Sequence, residues 1–208
     1  MSEIIENPKR RQFMKAAAGA VVTLGISPLV FAAEQAKTDT RPSPPGKDPT
    51  REQIIRNLRR ANQVGKEAME KKGRQPFGTV LVDADNETVL MEQSNIDVVN
   101  HAESTIARLA AGKMSPAKLW GTTLYANAEP CVMCTGTIYW ANVGRIVFGM
   151  SVDELLQIKG YSEENTTMNV PSRYVINHGQ KNIRIWGPIE EVKPEIAPLF
   201  KEYFKPAS

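Results

Sequence analysis

The chain has 208 residues, which suits one domain with an extension, and its 41% hydrophobic and 24% charged residues are typical of a globular protein. Its formal net charge is +3, and the first 32 positions contribute four basic and two acidic residues. The rest of the chain therefore carries a net charge of only +1. A nearly neutral protein is not built to gather polyanions, so we expect no nucleic-acid partner.

The N-terminus resembles a twin-arginine export signal, because Arg10 and Arg11 precede a hydrophobic residue, a lysine and then a mildly apolar run over residues 16–33. Glycine and proline interrupt that run, which makes it a poor membrane anchor. Small residues near its end fit a cleavage site. We predict a signal over residues 1–32 that engages the twin-arginine translocation machinery and gives a periplasmic or secreted protein, mature from about Ala33. An uncleaved anchor or a chance amphipathic helix is the alternative.

Residues 33–49 are polar and rich in proline, which predicts a linker without a core of its own. We expect the folded domain over residues 50–208. Its first element is a helix with an apolar stripe, capped by Thr50 and stopped by Gly73. Glutamates interleave the basic residues of this helix, which indicates a solvated face. Those basic residues are Arg56, Arg59, Arg60, Lys66, Lys71 and Lys72.

Strands and helices alternate along the rest of the chain. Two apolar runs at 79–82 and 88–91 flank turn residues and predict a hairpin. The elements expected after it are a helix at 101–112, a strand at 118–127, a helix at 131–143, a strand at 144–150, a helix and loop at 171–180 and a strand at 183–189. This order implies an α/β sandwich with parallel crossovers. The apolar residues of the tail, 192–204, could pack on the chain's own sheet or on a neighbouring subunit.

Two short pieces carry the chemistry. The first is His101-Ala102-Glu103, and the second is the pair Cys131 and Cys134 after a proline. Cysteines three positions apart at the start of a helix can direct both sulfurs to one point, where the helix N-terminus favours thiolates. Two thiolates and one imidazole make three zinc ligands and leave a fourth position for water, which is the pattern of a catalytic site.

Other roles for these residues are less consistent with the sequence. A lone Cys-x-x-Cys could be a redox pair, but thioredoxin-like pairs are not partnered with His-x-Glu on an earlier helix. A structural zinc would normally need a fourth protein ligand. The second histidine, His178, lies beside a glycine in a loop and is expected at the surface. We therefore predict a catalytic Zn²⁺ held by His101, Cys131 and Cys134.

The two pieces together resemble the signature of the zinc-dependent deaminases, H-x-E with P-C-x-x-C, and the match runs from Phe77 to about Met150. The resemblance implies a cytidine-deaminase-like three-layer α/β/α sandwich with a five-stranded mixed sheet. It also implies that His101 is a zinc ligand and that Glu103 is the general acid–base of a hydrolytic deamination rather than a ligand. Members of this family usually form dimers or larger oligomers, so we expect a homodimer.

Longer stretches narrow the resemblance. The segment PFGTVLV resembles the entry strand of purine and tRNA deaminases, and EPCVMCTGTIYWANVGRIVFG is similar to a segment of guanine deaminases. This implies that the substrate is guanine or a related aminopurine or triazine. The implied substrate contacts are Phe77, Asn95, Ala102, Trp140 and Glu163. Core packing for Phe77, a turn for Asn95 and helix packing for Trp140 are the alternatives.

Two departures leave the base open. Ser104 and Thr105 follow the His-Ala-Glu piece where the family has other residues. Guanine deaminases also place an acidic residue after a Gly-Phe pair, and the comparable stretch here is KGYSEENTT, where Glu163 or Glu164 takes that role. A tRNA adenosine deaminase, a cytosine or nucleoside deaminase and a non-catalytic zinc-containing binding protein remain alternatives.

Overall fold

The computed structural model describes residues 39–160 and 167–205. The predicted export signal and the expected start of the mature chain lie outside these residues, and so do Glu163 and Glu164. Within the described ranges, no helix combines the length and the apolar character that crossing a bilayer requires.

Five strands form one mixed sheet in the order β2-β1-β3-β4-β5. Strand β1 is antiparallel to both β2 and β3, whereas β3, β4 and β5 run parallel. The elements are α1 (Arg51–Lys72), β1 (Gly78–Val82), β2 (Val89–Ser94), α2 (Ala102–Ala111), α3 (Pro116–Trp120), β3 (Thr123–Ala128), α4 (Val132–Trp140), β4 (Arg145–Met150), α5 (Val152–Lys159), α6 (Ser172–Asn177), β5 (Arg184–Trp186), a 3-10 turn (Glu190–Val192) and α7 (Lys193–Tyr203).

Helices cover both faces of the sheet, each over its own apolar core. On one face, a cluster that includes Leu58, Val80 and Phe200 joins α1 and α7 to the sheet. On the other face, a cluster that includes Ile106 and Ile138 joins α2 and α4 to it. The predicted three-layer α/β/α sandwich is therefore confirmed.

Helix α1 begins and ends where its sequence predicts. Thr50 forms a capping box with Gln53, and Gly73 closes the helix in the left-handed conformation at φ 61°. The helix lies so close to β1 that a Cβ atom on Gly78 would be 2.1 Å from the carbonyl oxygen of Ala61. Glycine is therefore needed at the start of β1, directly after Phe77.

The expected strand over 118–127 is wrong in its first half. Residues 116–120 form α3, which Ser115 caps and which has Pro116 in its first turn, and β3 starts only at Thr123. Helix α5 is a further difference from the expected elements, although Ser151 and Glu154 form a capping box at its start.

Residues 39–49, the second part of the expected linker, form no helix or strand but contact the sheet domain. Arg41 donates hydrogen bonds to the carbonyl oxygens of Ile176 and Gly179. Asp48 pairs with Arg184. Residues 39–49 accordingly belong to the same compact unit as the rest of the described residues.

The C-terminal helix packs on the chain's own sheet, which is one of the two arrangements that the sequence left open. Ile196, Leu199 and Phe200 of α7 are buried. They contact the same core as α1 and β4.

Candidate active site

Two helix N-termini meet at one end of the sheet and bring the predicted metal ligands together. His101 is the N-cap of α2, and Cys131 is the N-cap of α4. His101 Nδ1 lies 3.7 Å from Cys131 Sγ and 3.6 Å from Cys134 Sγ. The three side chains thus offer ligand atoms that all lie within 4.8 Å of one another.

These separations fit a tetrahedral zinc site. Zinc–nitrogen bonds of about 2.1 Å and zinc–sulfur bonds of about 2.3 Å at a tetrahedral angle place N and S about 3.6 Å apart. Within the described ranges, the group contains three ligands and no fourth. That donor set matches a catalytic site, in which the fourth position belongs to water or substrate.

The surroundings favour a thiolate at the first cysteine. The hydrogen bond from the Cys134 thiol, together with the His101 ring, lowers the pKa of Cys131 well below its ordinary value. The same hydrogen bond and burial raise the pKa of Cys134. The hydrogen bond with Cys131 raises the pKa of His101. Because thiolates are the form that binds metal, Cys131 is prepared for a cation in this cluster.

Glu103 lies beside the ligand cluster and not within it. The residue is 5% exposed, and its Oε2 accepts a hydrogen bond from Cys134 Sγ at 3.7 Å. Burial raises the pKa of Glu103 to about 7. A buried carboxyl group that exchanges its proton near neutral pH suits general acid–base work.

Comparison with known proteins places this geometry in a family. Residues 51–150 match the model described as "Cytidine and deoxycytidylate deaminase zinc-binding region". A "Probable cytosine deaminase" of Schizosaccharomyces pombe is 33% identical over 146 residues, which are 67% of this chain and 86% of that protein. A "Guanine deaminase" of Bacillus subtilis is 40% identical over 70 residues, which are 32% of this chain and 44% of that protein.

The chain belongs to the zinc-binding cytidine and deoxycytidylate deaminase family. It is a deaminase, a hydrolase that acts on carbon–nitrogen bonds, and its cofactor is zinc. The fold agrees, since a solved guanine deaminase from Nitrosomonas europaea superposes with a TM-score of 0.55 at 16% identity over 90% of this chain and 98% of that one.

Two of the predicted substrate contacts, Phe77 and Ala102, lie beside the cluster of this deaminase, and a third, Asn95, is hydrogen-bonded to Phe77. The Phe77 ring is parallel to the His101 ring, with 6.4 Å between centroids and 3° between planes. Asn95 is 3% exposed, and its backbone N–H donates to the Phe77 carbonyl at 2.9 Å. Ala102 is fully buried as the first residue of α2, between His101 and Glu103.

The Asn95 amide is only half satisfied by the protein. Its Nδ2 donates to the Asp97 carbonyl oxygen at 3.3 Å. Its Oδ1 is buried and has no hydrogen-bond partner among the described residues. A buried acceptor without a partner is costly unless a ligand or water completes it.

The structure does not bring Trp140 to the cluster. Trp140 ends α4 and is 82% exposed, so its ring is not packed in the helix layer either. The helix that Cys131 begins rises about 13 Å before it reaches Trp140.

The other predicted residues add nothing to the described part of the site. Glu163 and Glu164 lie outside the described residues. His178 is exposed, as predicted, and its ring bonds the Tyr174 carbonyl oxygen at 2.8 Å.

Sequence reasoning missed two buried polar residues near the ends of the central strands. Asn127 accepts a hydrogen bond from the Gly78 N–H at 3.1 Å and donates one to the Pro76 carbonyl at 2.8 Å, which fixes the backbone around Phe77. Glu129 binds the first residues of two helices. The sequence does contain a signal for these two residues, because Asn127 and Glu129 are polar side chains at the end of an otherwise apolar strand.

Proposed function

We propose that this deaminase hydrolyses the exocyclic amine of a nucleobase, guanine or a related aminopurine or triazine, and releases ammonia. The observation that carries the proposal is the convergence of the His101, Cys131 and Cys134 ligand atoms beside the buried carboxyl group of Glu103. The guanine deaminase relative supports the choice of base, because its similarity to this chain is strong over a short segment.

Glu103 moves the protons in this mechanism. Zinc, when bound, lowers the pKa of a water molecule towards neutrality. Glu103 accepts a proton from water and returns protons to the ring nitrogen and to the departing amine. The ring carbon gains oxygen, its bond to the exocyclic nitrogen breaks, and ammonia leaves. One carboxylate serves all these transfers because the accepting atoms lie close together.

Asn95 and Phe77 hold the base. The free Oδ1 of Asn95 accepts an N–H of the base edge, while Nδ2 of the same amide can donate. The Phe77 ring, parallel to His101, forms an apolar wall against which a flat heterocycle can lie. Ala102 separates the metal ligand from the acid–base group at the start of α2.

Cytosine is a second candidate substrate, because a relative that matches this chain over 146 residues bears the name of a cytosine deaminase. The amino-imine edge of cytosine resembles that of guanine, so the same proton transfers apply.

A tRNA substrate has less support. Three arginines of α1 each form an ion pair with a glutamate, namely Arg56, Arg59 and Arg60. Their positive charges are therefore compensated within the protein, whereas binding of a tRNA backbone uses basic side chains that pair with phosphates. Glu103, in place beside the cluster, also argues against a non-catalytic zinc protein.

An ammonia-release screen of the zinc-loaded protein tests this proposal. The panel is guanine, adenine, cytosine, guanosine, cytidine and ammeline, and the Glu103→Ala variant serves as the inactive control. We expect guanine to be the fastest substrate. A higher kcat/KM for cytosine would favour the second candidate, and a panel that is entirely inert would show that the substrate class is wrong.

We also propose that the twin-arginine machinery exports the protein to the periplasm or beyond. The support is the order of Arg10 and Arg11, the apolar run and the small residues near Ala33. This route carries folded proteins, so zinc could bind first and protect Cys131 and Cys134 from oxidation. Arg10→Lys with Arg11→Lys should retain the protein in the cytoplasm. An unchanged periplasmic yield would contradict the proposal.

A homodimer is the expected assembly of this deaminase. Trp140 and Leu109 are large apolar side chains that are 82% and 45% exposed, which supports a contact with another subunit. Light scattering of the purified protein measures the mass. We expect a dimer that Trp140→Ser weakens, and a monomer at all concentrations would contradict the proposal.

A further inference from the structure

Glu129 is a buried carboxylate that takes no part in the proposed chemistry. It follows β3, directly before Pro130 and Cys131, and is 8% exposed. A buried carboxylate is costly unless hydrogen-bond donors satisfy it. The donors that surround it are therefore the observation to explain.

The Glu129 carboxylate accepts three hydrogen bonds from two helix starts. Its Oε1 accepts the Ser172 N–H at 2.8 Å and the Ser172 hydroxyl at 2.7 Å. Its Oε2 accepts the Val152 N–H at 3.1 Å. Val152 and Ser172 are the first residues of α5 and α6, where backbone N–H groups have no partner inside the helix. One carboxylate thus caps two helices at once.

The backbone of the same residue is fixed as well. The Glu129 N–H donates to the Met150 carbonyl oxygen at the end of β4, at 2.8 Å. On the other side of the turn, the Thr135 hydroxyl donates to the Pro130 carbonyl at 3.0 Å, and the Thr135 N–H donates to the Cys131 carbonyl at 2.8 Å. The turn that carries Cys131 is therefore held by Glu129 before it and by Thr135 after it.

We propose that Glu129 is a positioning residue of the metal centre. By binding the starts of α5 and α6, it fixes the turn of residues 129–131 and so holds Cys131 Sγ at ligand distance from His101. It does this without touching the ligand atoms. The proposal rests on zinc and its assigned ligands and not on the identity of the base.

The test uses zinc release and needs no substrate. Wild type, Glu129→Gln and Ser172→Ala are loaded with zinc, and transfer of the metal to excess chelator is followed at a temperature where circular dichroism shows each variant folded. Cobalt-substituted samples give an absorption spectrum that reports the ligand geometry. Glu154→Gln is the matched control, because Glu154 caps α5 through its hydrogen bonds with Ser151, whereas Glu129 binds the N–H of Val152.

We expect Glu129→Gln to release zinc about 10-fold faster, at the low end of the effects of residues behind metal ligands, and to shift the cobalt spectrum. Ser172→Ala removes one of the three hydrogen bonds and should give a smaller increase in the release rate. Glu154→Gln should lower Tm and leave zinc release unchanged.

Two results would overturn the proposal. One is a Glu129→Gln variant that has a lower Tm but the wild-type release rate and cobalt spectrum, since Glu129 would then only stabilise the fold. The other is an equal acceleration by Glu154→Gln, which would make any loosening of α5 sufficient. If Glu129→Gln does not fold, the comparison of Ser172→Ala with Glu154→Gln decides the question by the same criteria. An inert substrate panel leaves these outcomes unaffected.

Discussion

The two ends of the central strands both bury polar side chains, but they satisfy them differently. At the end where β4 begins, Arg145 is fully buried. Its terminal nitrogens donate to the carbonyl oxygens of Gly121 and Pro45. Its Nε makes no hydrogen bond among the described residues but forms an ion pair with Asp48 Oδ1 at 3.5 Å. Nearby, Asn86 Oδ1 accepts a hydrogen bond from the Thr123 hydroxyl at 3.0 Å. Most of these groups bind backbone or opposite charge, as structural polar groups do.

At the zinc end, the buried polar groups face one another. Glu103 Oε2 receives its hydrogen bond from Cys134, and His101 Nδ1 faces both sulfurs. The Asn95 Oδ1 has no partner in the part of the chain that the structure describes. Reactive atoms that converge on one another, with a raised carboxyl pKa, indicate chemistry. Substitutions at the two ends should therefore affect different quantities.

The largest expected effect is at the metal ligands. Cys131→Ala with Cys134→Ala should reduce zinc from about one ion per chain to almost none and abolish ammonia release, because a single histidine cannot hold the metal. Elemental analysis of the purified protein measures the change. Thr137→Ala, on the same helix α4, is the control and should keep its zinc. Full zinc in the double variant would refute the ligand assignment.

The acid–base group and the ligand should separate in a paired experiment. Glu103→Ala should keep zinc and the fold but lose about 10²–10⁴-fold in turnover, the usual contribution of a general acid–base. His101→Ala should lose zinc and also stability, because metal binding couples to folding. Zinc content and deaminase rate are measured for both. Equal zinc loss in the two variants would make Glu103 a ligand, and a near-normal rate in Glu103→Ala would exclude its proposed role.

Much of the fold could be predicted because its signals are local. The caps of α1 at Thr50 and Gly73, and the hairpin of β1 and β2, lie within short windows of sequence. The strand predicted from Lys118 is wrong at its start, because the Ser115-Pro116 pair begins a helix that includes the apolar residues Leu119 and Trp120. At this position the N-cap and the proline of the first turn favour a helix, although the apolar residues that follow also fit a strand.

The centre of the site could also be predicted, since His-x-Glu and Cys-x-x-Cys each fix spacing within one helix turn. The residues behind it could not. Glu129 finds its partners 23 and 43 positions further along the chain, and no local pattern shows that they meet. The exposure of Trp140 has a similar cause, and its role as a substrate contact stays a prediction. Which side of α4 faces solvent depends on how α2 and α6 pack against it.

At the opposite end of the strands, substitution should affect stability and not chemistry. Arg145→Met removes the donors to the buried Gly121 carbonyl and to the part-buried Pro45 carbonyl, so the free energy of unfolding should fall by about 2 kcal/mol. Denaturant titration measures this loss. Because Arg145 lies far from the ligand cluster along β4, kcat and KM per folded molecule should stay at the wild-type values.

The control for Arg145 is its exposed neighbour. Arg184 pairs with the same Asp48, but its side chain is 44% exposed. Arg184→Met should therefore cost only about 0.5 kcal/mol, as solvent-exposed ion pairs do. Comparable losses of stability in the two variants, or a changed KM in Arg145→Met, would remove the distinction between the ends.

A smaller effect than at the ligands, at Glu103 or at Arg145 is expected at Asn95, where the zinc end meets the base. Asn95→Ala should raise KM about 10-fold, because one hydrogen bond to a buried acceptor is lost while the acid–base group and the metal remain. Stability should change little, since the protein itself leaves Oδ1 without a partner among the described residues. Asn100→Ala is the matched control, as Asn100 Nδ2 binds the Asp97 side chain of the same loop at 2.9 Å. An equal rise in KM for both variants would mean that Asn95 acts by shaping the loop and does not contact the base.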